Sequence, residues 1–154
     1  MGSRKQVGFT LLELIIAIAV LSIVAMATIP YMQNSIKRER EVVLRRNLRT
    51  IRKALDAYNI DYATKIGPLD KKEGDMGYPP TLEILVEGIH PVNTDKTIRY
   101  LRRIPIDPMT GKADWGFRAV QDEPKGDSWN GKNIFDVYSK SKDKALNGTD
   151  YSDW

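Results

Sequence analysis

The apolar residues divide the chain into one uninterrupted apolar stretch and a longer region with regular apolar spacing. Residues 14–36 contain no charged side chain over 23 positions. A run of about 20 apolar residues, at about 1.5 Å rise per residue, can cross the hydrocarbon core of a bilayer as a helix. The pattern therefore predicts a hydrophobic helix near the N-terminus.

Beyond this stretch, apolar residues return at intervals of three and four positions, which is typical of one face of a helix. They are Leu44, Leu48, Ile51, Leu55, Tyr58 and Tyr62. We expect one helix from about Thr10 to Tyr62, with Gly67 and Pro68 marking its end. Its first half would lie in lipid or in a helical bundle, and its second half would pack onto a small domain.

The rest of the chain predicts short elements joined by turns. A segment with Tyr78 and two prolines precedes a short helix over residues 82–87, and residues 107–111 read as a turn. Stretches that begin at Trp115 and Asn133 alternate like strands and flank an Asn-Gly hairpin dipeptide. The fold class expected is α+β, a long N-terminal helix packed on a small antiparallel sheet.

The aromatic and apolar residues of these strands predict how the sheet covers the helix. The expected core residues at strand spacing are Trp115, Phe117, Phe135 and Val137. Residues of this kind at this spacing are typical of a core rather than of a ligand site.

Composition removes several functions. The 154 residues include no cysteine and one histidine, His90, which excludes disulfide scaffolds, thiol catalysis, thiolate zinc sites and multi-histidine metal sites. His90 is interpreted as a loop residue. Because no nucleophile and base can be paired and no phosphate-binding motif is present, we predict that the protein is not an enzyme.

Charge is segregated along the chain. The net charge is +4, but residues 37–53 hold eight basic side chains against Glu39 and Glu41, and the part after Lys53 is mildly acidic. The basic residues Arg45, Arg46, Arg49, Arg52 and Lys53 leave nucleic acid open as a partner. A solvated helix face or contact with anionic lipid headgroups is favoured over it, since no aromatic residues are interleaved to stack bases.

The N-terminus admits two interpretations. Arg4 and Lys5 precede the apolar stretch and would keep the N-terminus cytoplasmic. A conventional secretory signal would be cleaved among residues 25–28 and would release a soluble protein. That interpretation leaves Glu13, near the start of the apolar stretch, unexplained. A carboxylate costs about 2.5–3.5 kcal/mol at mid-bilayer and less toward the interface.

The six residues GFTLLE, from Gly8 to Glu13, follow the basic leader and closely resemble the signal of type IV pilin-like proteins. The resemblance implies that a membrane aspartyl prepilin peptidase cleaves between Gly8 and Phe9 and methylates the new Phe9 amine. A glycine suits the cleavage site because it leaves the backbone accessible.

Two further residues have expected roles in assembly. Glu13 lies one helical turn after Phe9, so in a bundle its carboxylate could pair with the terminal amine of a neighbouring subunit. The alternative is a carboxylate near the membrane interface without a specific role. Pro30 should kink or locally unwind the helix, or else it only ends the membrane span.

The order of C-terminal features resembles the major pseudopilins of type II secretion systems: a tyrosine-proline segment, the residues from Tyr100 to Pro105, an Asp-Pro turn, two strands and a polar tail ending in Trp154. The resemblance implies a structural subunit of a periplasmic pseudopilus that polymerises through its N-terminal helix and drives protein export. The absence of cysteine favours this over an adhesion pilin.

The same resemblance implies the domain division, partners and location. Residues 1–8 would be the leader, 9–36 the transmembrane and fibre-core helix, and 37–154 the periplasmic domain. The implied partners are other copies, minor pseudopilins, prepilin peptidase, the inner-membrane assembly platform and membrane lipid. The location is the bacterial inner membrane and the periplasmic fibre. The alternatives are a type IV pilin of a surface fibre for adhesion, motility or DNA uptake, and an anchored periplasmic binding module.

In these pseudopilins the loop that corresponds to residues 139–154 binds calcium. The resemblance carries this role to Asp143, Asp150 and the backbone carbonyl of Lys140. Lys142 and Lys144 flank Asp143, and their ammonium groups should weaken a divalent site. The alternative is a solvated loop held by the packing of Tyr151 and Trp154.

Overall fold

The structure is a computed structural model that describes residues 8–66, 76–91, 96–123, 126 and 128–154, without the side chains of residues 27–31, 65 and 66. The chain divides into two units, Met1–Arg38 and Glu39–Trp154.

Helix α1 spans Leu11–Asp61 and is followed by a π-helical turn at Tyr62–Ile66. This confirms the helix predicted for residues 10–62. Position 30 lies inside α1, so the helix neither ends nor unwinds there. Gly67 and Pro68, which were expected to mark the end of the helix, lie outside the described residues.

The second half of α1 supplies one side of the core. All six residues of the predicted apolar stripe are buried, with Leu44, Ile51 and Leu55 fully inaccessible. Residues from the rest of the second unit cover the stripe, namely Leu82, Leu85, Leu101, Trp115, Ile134, Val137, Ala145 and Tyr151. Burial of this apolar surface is the main stabilising contribution to the unit.

The remaining elements are short. They are helix α2 at Glu83–Glu87, strands β1 at Trp115–Arg118 and β2 at Asp136–Ser139, and a 3₁₀ turn at Tyr151–Asp153. The two strands are antiparallel, and Trp115 lies opposite Ser139. The predicted α+β class, the short helix and both strands are therefore confirmed.

A buried carboxylate fixes the turn before β1. Asp107 is fully buried; its Oδ1 accepts the Met109 N–H at 2.8 Å, and its Oδ2 accepts the Ser139 hydroxyl at 2.6 Å. The carbonyl of Asp107 also accepts the Gly111 N–H at 2.8 Å. The predicted turn at residues 107–111 is confirmed, and its aspartate also ties it to β2.

The prediction that four residues of the sheet lie in the core is wrong for one of them, Phe135. Trp115 and Val137 are buried and Phe117 packs against the core, but Phe135 is 46% exposed. Phe135 precedes β2, so the strand alternation does not extend to it. Its ring lies edge-on to Tyr78 instead, with ring centroids 5.2 Å apart.

Candidate assembly and processing site

Gly8 and Phe9, which precede α1, are open to other molecules. No heavy atom lies within 4 Å of the position that a Cβ would take at Gly8, and the Phe9 side chain is 85% exposed. A protease needs an accessible backbone, and Gly8 and Phe9, on the two sides of the predicted cleavage point, are exposed and lie outside α1. Cleavage and methylation themselves stay predictions.

Thr10 and Glu13 define the start of α1. The Thr10 hydroxyl oxygen accepts the Glu13 N–H at 3.2 Å, and the Thr10 carbonyl accepts the Leu14 N–H at 3.2 Å. Thr-x-x-Glu is the spacing of a capping box. A carboxylate in the first turn also stabilises the helix, because its negative charge interacts favourably with the positive end of the helix dipole. The sequence interpretation missed Thr10 as the cap, although the spacing of Thr10 and Glu13 could have identified it.

Both roles of Glu13 are compatible. Its backbone N–H takes part in the cap, whereas the predicted contact with a neighbouring subunit uses the carboxylate. A pair between the Glu13 carboxylate and a Phe9 amine belongs to two copies, so a single chain does not contain it. The assembly roles of Glu13 and Pro30 stay predictions.

The first half of α1 exposes apolar side chains on every side. Each large apolar residue from Phe9 to Met26 is more than half exposed in the single chain. The Ser22 hydroxyl on this surface donates to the Ile18 carbonyl at 2.8 Å, within the helix. A helix that is apolar all round is stable in water only when other molecules cover it.

The predicted membrane span depends on the length and hydropathy of a helix. Across the part of the chain that the structure describes, no helix combines the length and the apolar character needed to span a membrane.

The predicted calcium ligands lie among lysines. Lys140 Nζ contacts Asp114 Oδ1 at 2.5 Å, and Lys144 Nζ lies 4.0 Å from Asp150 Oδ1. Within the described ranges, no group of three or more His, Cys, Asp or Glu side chains could hold a metal ion. The prediction relies on two carboxylates and one backbone carbonyl, which is a smaller set, so it stays untested.

Contacts with α1 hold the C-terminal segment in place. Glu41 Oε1 accepts the Leu146 N–H at 2.7 Å and the Tyr151 hydroxyl at 2.9 Å. Tyr151 is fully buried, and its ring lies edge-on to Trp154, whose indole N–H donates to Thr149 Oγ1 at 2.8 Å. These contacts agree with packing by Tyr151 and Trp154, and they add Glu41, which sequence reasoning missed.

We predict a loss of stability at high pH that depends on Tyr151. Burial, followed by the hydrogen bond to Glu41, raises the pKa of the Tyr151 hydroxyl to about 12 from its ordinary value of 10.0. The folded state therefore binds more protons than the unfolded state between these values. The stabilisation is complete below pH 10 and is lost as the pH rises toward 12.

The test is the free energy of unfolding, measured with denaturant at pH 9, 10, 11 and 12 for the wild type and for Tyr151→Phe. The phenylalanine variant should lose less stability over this range than the wild type does. Equal losses would contradict the assigned role, because lysine deprotonation affects both proteins in the same way.

These features agree with a match to a known family model. A capped helix with a largely apolar first half follows an accessible Gly-Phe bond, and residues 3–29 match the family model described as the prokaryotic N-terminal methylation motif. The N-terminal part of the chain is therefore similar to type IV pilin-like proteins, which confirms the resemblance found in the sequence.

The similarity to a particular relative extends over nearly the whole chain. The chain is 28% identical over 159 residues to Type II secretion system core protein G of Pseudomonas aeruginosa (strain PAO1), covering 97% of this chain and 93% of the relative. No solved structure matches the chain. The resemblance to the major pseudopilins is therefore confirmed beyond the N-terminal motif.

Proposed function

We propose that this protein is a structural subunit of a periplasmic pseudopilus, which polymerises through its N-terminal helix and drives protein export by type II secretion. The observation that carries the proposal is the exposed apolar surface from Phe9 to Met26, which lies within the residues that match the methylation motif. The similarity to Type II secretion system core protein G supports secretion as the process.

Processing prepares the chain for assembly. Prepilin peptidase cleaves after Gly8 and methylates the amine of Phe9, and the apolar half of α1 stays on the mature chain. In the fibre the Phe9 amine and the Glu13 carboxylate of adjacent copies compensate each other. A buried charge without a partner would oppose association, so this pair fixes the register between copies.

The environment of the apolar half changes during the cycle. Before assembly it lies in the inner membrane, with the N-terminus cytoplasmic and residues 37–154 periplasmic. The assembly platform then transfers it into the fibre, where other copies cover the same surface together with minor pseudopilins. Helix-to-helix packing in the fibre offsets the loss of lipid contacts. The role is structural and involves no catalysis by this chain.

Intact mass and N-terminal sequencing of protein from cells that carry a prepilin peptidase test the proposal. We expect a methylated Phe9 terminus, because the Gly8–Phe9 bond is accessible. Gly8→Val should leave the leader attached, since a branched side chain obstructs the protease. A mature terminus among residues 25–28 would show a conventional signal peptide and contradict the proposal.

We also propose, as a separate point, that the C-terminal segment binds calcium through Asp143, Asp150 and the Lys140 carbonyl. Calcium favours hard oxygen ligands, and a bound ion stabilises the folded state. Thermal unfolding should occur at a higher temperature in millimolar CaCl₂ than in EDTA, and Asp150→Asn should remove the difference. Equal melting temperatures of the wild type in both buffers would contradict calcium binding.

A further inference from the structure

A groove of about 510 Å³ lies on the second unit, along α1. Its cationic side is a row formed by Arg45, Arg49 and Lys53, and its apolar part is formed by Leu48 and Trp154. We call this the basic groove. Its lining includes none of the apolar residues 9–26 and neither of the proposed calcium ligands Asp143 and Asp150.

The cations of this row are not neutralised by the residues that the structure describes. Arg49 and Lys53 are exposed, and no carboxylate among the described residues lies within ion-pair distance of either. The Arg45 guanidinium lies over the Trp154 ring, 4.1 Å from its centroid, which orients this cation without cancelling its charge.

Arg52, which also lines the groove, has a different role. Its Nε lies 2.6 Å from Asp136 Oδ1, and its Nη2 donates to Asp136 Oδ2 at 3.2 Å and to the Trp154 backbone oxygen at 2.6 Å. Arg52 therefore holds Trp154 in position, and the excess positive charge comes from the row of three cations.

The spacing of the row is unfavourable in an isolated subunit. Arg45, Arg49 and Lys53 follow each other at intervals of four residues, so neighbouring side chains lie on the same helix face about 5–6 Å apart at Cβ. Like charges at this spacing destabilise a helix. A pair of carboxylates placed against the row would remove the repulsion.

Helix α2 carries the complementary arrangement. Glu83 and Glu87 are also four residues apart and exposed, and Leu85 between them is buried, so the two carboxylates lie on the outer face. Neither has an ion-pair partner in the described part of the chain. We call Glu83 and Glu87 the acidic pair.

We propose that the basic groove of one copy binds the acidic pair of a second copy. The inference rests on the proposed function in one respect, since a fibre brings copies of the chain together. The two surfaces match in charge and in spacing, and each carries a like-charge repulsion that the contact relieves. The contact would fix the register of the second units in addition to the pair at Glu13.

Other anionic partners fit the groove less well. The aromatic surface of the groove is limited to Trp154, whose face is already covered by Arg45. Single-stranded nucleic acid binds where successive bases stack on several aromatic rings, and the lining of this groove contains one such ring. A groove of this volume accepts a few side chains.

A charge exchange in the full-length protein tests the proposal. In a homopolymer, Arg49→Glu and Glu87→Lys each place like charges in every contact, whereas the double variant restores opposite charges. We expect each single variant to lower the fibre yield by about tenfold and the double variant to recover most of it, as a coupling of about 1.4 kcal/mol requires. Arg46→Glu is the matched control, because Arg46 is exposed on the same helix but does not line the groove.

A second measurement does not depend on fibre yield. The chain contains no cysteine, so copies with both Arg49→Cys and Glu87→Cys report the contact by disulfide-linked ladders on mild oxidation. Ladders should form in fibres, and Arg46→Cys with Glu87→Cys should give few. Raising the salt concentration should lower the yield of wild-type fibres, since exposed charges are screened.

Several results would overturn the inference. One is a fibre yield of the single variants equal to that of the wild type, and another is a double variant whose fibre yield is no higher than that of the single variants. A third is a fibre yield of Arg46→Glu as low as that of Arg49→Glu when the melting temperatures of all variants are equal. Loss of binding to phosphatidylglycerol vesicles by Arg49→Glu with normal fibres would assign the groove to lipid. Absence of wild-type fibres would contradict the proposed function itself. Normal fibres both from the wild type and from the single charge variants would contradict only this contact.

Discussion

Glu13→Ala should lower the fibre yield by at least about a hundredfold while leaving processing and membrane insertion intact. The substitution removes the carboxylate but keeps the backbone N–H that Thr10 caps, so α1 should still begin at Leu11. In the fibre the Phe9 amine of the adjacent copy would then be buried without a partner. Breaking a buried ion pair from one side costs about 3–5 kcal/mol, which corresponds to this loss in the assembly constant.

The measurement is the amount of sheared fibre relative to the total mature protein, with the mature mass as a check on processing. Glu39→Ala makes the same change at an exposed carboxylate of α1 and should leave the fibre yield unchanged. Thr10→Ala separates the capping role, because it removes the hydroxyl acceptor and keeps the charge. Normal fibres from Glu13→Ala would refute the charge pair.

Trp115→Ala should have the largest effect on the stability of the second unit, lowering the free energy of unfolding by about 4 kcal/mol. Trp115 is fully buried against the stripe of α1, and its indole N–H donates to the Pro105 carbonyl at 2.9 Å. Truncation leaves a cavity and an unpaired carbonyl. Because domains are stable by about 5–15 kcal/mol, this loss is a large fraction of the total stability.

Urea unfolding followed by far-UV circular dichroism measures this effect. Trp115→Phe keeps most of the apolar volume and should lose about 1–2 kcal/mol, mainly for the hydrogen bond and the smaller ring. Trp129→Ala is the matched control, since Trp129 is exposed at the surface and also donates its indole N–H to a carbonyl, that of Asn133 at 2.7 Å. A loss for Trp115→Ala no larger than that for Trp129→Ala would contradict the core assignment.

The processing motif and the helix were predictable because both depend on neighbouring residues. The residues of the processing motif are contiguous from Gly8 to Glu13, and the stripe from Leu44 to Tyr62 repeats at helical spacing. A helix places residues three and four positions apart on the same face, so sequence spacing translates directly into geometry.

Strand residues were predicted less completely. The alternation of apolar residues correctly predicted that Val137 of β2 is buried. It also predicted burial of Phe135, which is exposed and lies one position before the strand begins. Where a strand begins depends on its pairing with β1, and a period of two residues cannot specify that limit.

The sequence by itself determined the long helix, its apolar stripe, the α+β class and the resemblance to type IV pilin-like proteins, because local periodicity and a short motif encode them. Only the tertiary structure decided that Glu41 holds Leu146 and Tyr151, and that Arg52 joins Asp136 to Trp154. These contacts join residues 84 to 110 positions apart. Such partners are selected when the core brings distant segments together, and no spacing along the chain records that choice.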